Sequence, residues 1–172
     1  MTWRALGLAL AGLLATGCGY HTAGRAALIP GGIKTIAIPG FVNQTQTYRV
    51  EQRVTEAVVR EFNTRTHYRV VHGDGRDADA TLLGTILSTS STPLAYDSRT
   101  GRAASALVTV SMKVSLTDAH GKALYQNANY VFHEQYEVSN DLASFFEEDS
   151  PAMERLSRDF ARSLVADILE GF

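Results

Sequence analysis

One cysteine in 172 residues rules out an internal disulfide framework and any metal site built from several thiolates. Long hydrophobic runs are missing too: the most apolar stretch, Ala5 to Ala15, is about half the roughly 20 residues that cross a bilayer as a helix. There is no basic excess. With 16 Lys and Arg against 18 Asp and Glu, the formal charge is −2, and the clustered positive charge of a nucleic-acid binder is absent. The chain holds no internal repeat and no low-complexity tract. G-x-S-x-G, H-E-x-x-H, C-x-x-C and phosphate-loop patterns are all missing, which removes the catalytic signatures that carry a mechanism. The expectation is a protein that is not an enzyme and needs no cofactor.

What is there begins around the cysteine. Arg4, the uncharged run and the small residues Ala15, Thr16 and Gly17 have the layout of a secretory signal peptide. They lead directly into Cys18, and "LLATGC" resembles the lipobox of bacterial lipoproteins, with Ala15 at the position three before the cysteine and Leu14 one place further back. The resemblance implies that residues 1–17 are removed and that Cys18 becomes the acylated first residue. Each buried methylene of an acyl chain contributes about 0.8 kcal/mol, and two chains suffice for stable anchoring. Residues 18–32, rich in glycine and small side chains, read as a tether, and residues 33–172 as one domain of ordinary size. A chain of this length buries roughly 70% of its unfolded surface and needs no staple.

Along that domain, Ile33, Ile36 and Ile38 form a short apolar run closed by Pro39 and Gly40, which suits a buried strand. From Tyr48 to Asn63, Val50, Val54, Ala57, Val58 and Phe62 recur at helical spacing, and Thr45 or Thr47 is placed to cap that helix. A short strand follows at 67–71, then the turn "HGDGRDAD", and then a longer strand that begins at Ala80 and is interrupted by Pro93. Strict alternation from Ala106 through Val108, Val110, Met112 and Val114 to Leu116 predicts a strand with one buried and one wet face. "DAHGK" makes a hairpin turn around Gly121, the next strand runs from Ala123 to about Val138, and Ser150 and Pro151 open a second amphipathic helix that ends at Gly171. The order β-α-β-β-β-β-α is satisfied by an α+β domain with two helices on one face of a four- to five-stranded mixed, largely antiparallel sheet.

Few side chains suggest chemistry. His67, His72, Asp74, Asp77 and Asp79 lie close together, but they lack the regular oxygen-ligand spacing of a hard-metal loop and read as a solvated turn. His120 and His133 fit a turn and a strand. Arg99 and Arg102 flank Gly101 at a hairpin tip; planar guanidinium groups suit bidentate contact with phosphate, while charged residues in a turn are ordinarily just solvated. Phe145 and Phe146, ahead of Glu147, Glu148 and Asp149, are placed either to seat the second helix or to face a partner.

Taken together, "CGYH", "IKTIAIPGFVNQT" leading into "YRVEQRVTEAVVREF", "DADATLLGTI", the hairpin "YDSRTGRAASALVTVSMKVSL", "GKALYQ" and the closing "LASFFEEDSPAMERLSRDFARSLV" resemble the lipopolysaccharide-assembly lipoprotein family, LptE. The resemblance implies an outer-membrane lipoprotein that plugs the large β-barrel LptD and helps it place lipopolysaccharide in the outer leaflet. It also implies contact with lipopolysaccharide through basic loop residues, a role that falls here to Arg99 and Arg102, whereas "SNDLASFFEEDS" before the last helix has no Lys or Arg. Gly19 stands where inner-membrane lipoproteins of this kind carry aspartate, which implies the outer membrane. The competing expectation is a periplasm-facing lipoprotein that carries a lipid or serves another envelope assembly; it calls for a deep apolar pocket.

Overall fold

The computed structural model describes residues 29, 32–138 and 151–170. Cys18, most of the tether, Phe145, Phe146, Ser150 and Gly171 therefore lie outside the described residues. The apolar run becomes β1 (Thr35–Ala37), followed by β2 (Val42–Asn43), α1 (Val50–Arg65) and β3 (Arg69–Val71). Then come the long strands β4 (Ala80–Tyr96), β5 (Ala103–Asp118) and β6 (Ala123–Glu137), and last α2 (Pro151–Glu170). The sheet has six strands in the order β3-β1-β4-β5-β6, with β2 also against β4. β1 runs parallel to β3 and β4, and β2 parallel to β4, while β4, β5 and β6 are antiparallel. The α+β expectation holds. The additional strand is β2, whose two residues are too short to show a period.

Both helices contribute to one core. Val50, Val54, Ala57, Val58 and Phe62 from α1 are buried with Met153, Leu156, Phe160, Leu164, Val165 and Ile168 from α2, against the alternate residues Ala106 to Leu116 of β5. The other face of β5 carries half-buried Thr109, Ser111 and Ser115 and exposed Lys113, so the two faces are as the alternation predicts. Tyr130 and Phe132 of β6 meet Phe160 edge-on, with centroids 5.5 and 6.0 Å apart. The Tyr130 hydroxyl donates to Asp167 Oδ2 at 2.9 Å, and burial, then that bond, holds its pKa above the ordinary phenol range.

The start of α1 differs from the expectation. Arg49 precedes the helix in the left-handed region, φ 52°, with no side-chain cap. The threonines are used elsewhere: Thr45 Oγ1 donates to Asn43 Oδ1 at 2.7 Å and accepts from Thr47 N–H at 3.1 Å, and Thr47 Oγ1 bonds Thr89 Oγ1 at 2.7 Å. They tie the turn to β4, a partner distant in sequence. Thr55, a polar residue inside the apolar stripe, is buried because its Oγ1 accepts Phe41 N–H at 3.0 Å while donating to the Glu51 carbonyl at 2.6 Å.

β4 also continues through Pro93 to Tyr96 instead of stopping there. Among the described residues only β5 pairs with it beyond Ile86, which makes this half an edge there, where a residue without an N–H is tolerated. The other end of β4 is clipped to β1. Asp79 Oδ2 accepts the N–H groups of Lys34 and Thr35, both at 2.8 Å, and these bonds, Lys34's first, hold its pKa below the ordinary carboxylate value. A depressed folded-state pKa contributes stability above the unfolded pKa that is lost as pH falls through the folded one. Asp79→Ala should therefore lower the urea midpoint at pH 7, and the gap from the parent should close as the pH drops below about 4. A gap that persists unchanged into acid would show that the clip contributes nothing.

Candidate functional site

The β4–β5 hairpin projects as the end of two strands of 17 and 16 residues, each about 55 Å long at 3.4 Å per residue. Its tip is closed by one carboxylate. Asp97 Oδ1 accepts from Arg99 N–H at 2.9 Å, Thr100 N–H at 2.7 Å and the Thr100 hydroxyl at 3.0 Å. Asp97 N–H in turn donates to the Arg102 carbonyl at 2.8 Å. These bonds, that of the Thr100 N–H foremost, lower the Asp97 pKa. Gly101 completes the turn at φ 67°, a conformation costly for a residue with a Cβ. Arg99 and Arg102 are both exposed on this one turn.

Asp74, Asp79 and His133 have structural partners, whereas His72 and Asp77 are exposed. Asp74 pairs with Arg76 at 2.6 Å, and Asp79 is the strand clip already described. His133 Nδ1 lies 3.0 Å from Thr109 Oγ1 on the open sheet face. His120 sits in the β5–β6 turn, its N–H donating to Asp118 Oδ1 at 2.9 Å. Among the described residues no group of three or more His, Cys, Asp or Glu is placed to hold a metal ion, and no helix is long and apolar enough to cross a membrane.

The sheet face away from the helices is formed by β4, β5 and β6. Register places Thr81 opposite Thr117, Ser88 opposite Ser111 and Ser90 opposite Thr109, with His133 next to Thr109 on β6. Hydroxyl groups predominate and Lys113 is the one cation β5 contributes. Such a face offers donors and acceptors with little charge to desolvate. Sequence reading found this face on β5 but did not find where β4 joins it. The β4 register depends on an irregularity between Ile86 and Ser88, and no local pattern announces that break.

The profile of the family described as LptE, lipopolysaccharide-assembly, matches residues 33–168. No curated protein matches the sequence. Among solved structures, the hypothetical protein CT253 from Chlamydia trachomatis is similar with TM-score 0.55 at 11% identity, covering 81% of this chain and 97% of that one. Protein XCC0632 from Xanthomonas campestris gives 0.54 at 12%, covering 80% and 84%. The uncharacterized lipoprotein B from Nitrosomonas europaea gives 0.52 at 15%, covering 80% and 83%. At these identities the likeness is one of fold.

Proposed function

The chain belongs to the lipopolysaccharide-assembly family LptE, and from that premise we propose that it is a non-catalytic outer-membrane lipoprotein, anchored through an acylated Cys18, that plugs the β-barrel LptD and assists its assembly. The observation that carries the reading is the open sheet face. A plug must replace water inside a polar lumen, and a long surface of Thr and Ser hydroxyls with few charges supports that use because each group can exchange a water for a barrel partner without stranding a charge. Full-length protein extracted from membranes should begin at an acylated Cys18 and copurify with the barrel, and deletion should leave little correctly assembled barrel. Recovery of an unmodified soluble chain, or an intact barrel that fails only in lipid transfer, would refute the plug.

Arg99 and Arg102 support direct contact with lipopolysaccharide phosphates, since two guanidinium groups on one turn match a dianion. Arg99→Glu with Arg102→Glu should change folding stability by no more than about 0.5 kcal/mol while weakening lipopolysaccharide binding, most visibly at low salt, where exposed charges are least screened. Equal binding by parent and double variant at every salt concentration would make these ordinary turn residues.

A further inference from the structure

β1 and β2 add to β4 in succession on the side away from β5, at Ala80–Thr81 and then at Thr85–Ile86. The Gln44 N–H donates to the Ile86 carbonyl at 3.0 Å, after which the chain turns off toward α1. From Leu87 onward β4 has no strand on this side among the described residues. Leu87 to Thr92 is a stretch of ordinary strand length, ended by Pro93, which cannot donate to a ladder. Natural proteins guard such edges with lysine or other charge, yet β4 carries no charged residue in its 17 positions.

Two further observations concern the same stretch. At its head, residues 45–48 and 87–89 line a wide-open surface depression of about 590 Å³, with Tyr48 and Leu87 as its largest side chains. Tyr48 is 60% and Leu87 39% exposed. Midway along it, Ser91 Oγ is shielded from solvent and has no hydrogen-bond partner among the described residues.

We propose that the β4 edge from Leu87 to Thr92 takes an extended, uncharged segment of the barrel partner as an added strand, with one apolar side chain of that segment seated between Tyr48 and Leu87. The proposal rests on the barrel reading above and names the surface that meets it. In strand addition, backbone bonds supply affinity and pockets for alternate side chains supply selectivity; a charge in the incoming strand would be desolvated against a strand that carries none of its own, and the cation at its head, Arg49, already lies over the Tyr48 ring at 4.9 Å. A second copy does not fit. Antiparallel pairing of this stretch with itself would carry Pro93 and Leu94 of one copy into the position that β2 already occupies beside Ile86 and Thr85 of the other.

The test is hydrogen exchange on the full-length chain, free and in the purified complex with its barrel, together with the double variant Leu87→Lys, Ser90→Lys, both at exposed positions. Outward-facing amides of Leu87–Thr92 should exchange at least tenfold more slowly in the complex, and the double variant should weaken the complex at least tenfold with its own thermal midpoint unchanged. A complex whose Leu87–Thr92 amides exchange as in the free chain overturns the edge proposal and leaves the barrel reading standing. Failure to form any complex with the barrel overturns both. Slowing that appears without the barrel and grows with chain concentration assigns the edge to a second copy and overturns the proposal.

Discussion

Val110→Asp should destabilise the domain by several kcal/mol, whereas Ser111→Asp, one residue on, should shift stability by about 0.5 kcal/mol or less. Val110 is 1% exposed and lies in the core formed by β5 and the two helices. A carboxylate there has no partner, so it must either lose its hydration or fold only in the protonated form. Ser111 points to the opposite face, between Ser88 of β4 and Val131 of β6, where water remains available. Urea titration of both variants at neutral pH reads the difference, and the Val110→Asp defect should lessen in acid as the carboxyl is neutralised. Equal effects would show that the two faces of β5 are not distinct environments.

Gly84→Val should be comparably damaging for a different reason. A Cβ at Gly84 would stand 2.7–2.8 Å from the Phe41 ring atoms Cγ, Cδ1 and Cδ2, closer than real Cβ atoms come. Phe41 is buried, and its N–H is bonded to Thr55 Oγ1 on α1, so the ring cannot withdraw without disturbing the helix. Gly84→Ala should cost on the order of 1–3 kcal/mol and Gly84→Val more, as overpacking a core does. Phe41→Ala alone should cost about 3–5 kcal/mol through the cavity it leaves. In the double variant Gly84→Ala, Phe41→Ala the two penalties should sum to less than their separate values, because the clash vanishes with the ring. Strict additivity in urea midpoints would rule out the contact as the cause.

Three long elements were legible from the sequence because their signal is local. The two-residue alternation of β5 and the helical spacing of Val50 to Phe62 and Met153 to Ile168 each report one face turned to the core, and every apolar residue in those sets is buried. The Gly121 turn was legible for the same reason: its φ of 81° is a backbone demand that glycine meets without steric cost. Arg99 and Arg102 were placed on a hairpin tip because the turn residues between the long strands are themselves local.

Contacts between residues far apart in the chain were decided only by the tertiary structure. Thr45 and Thr47 have the chemistry of helix caps, but β4 brings Thr89 within 2.7 Å of Thr47, and a hydroxyl can serve only the partner it reaches. Pro93 has the chemistry of a strand breaker, but among the described residues no strand pairs on its other side, so its missing N–H disrupts no ladder of theirs. Asp79 belonged by sequence to a loop of possible cation ligands; folding presents it with the N–H groups of Lys34 and Thr35, 45 and 44 residues away, and its charge is used to join β1 to β4. The stretch of β4 that, among the described residues, has a strand on one side alone has no sequence signature at all. It exists because β2 is only two residues long and β4 outruns it, and the length of one strand relative to its neighbour is set by packing and chain reversal elsewhere in the fold.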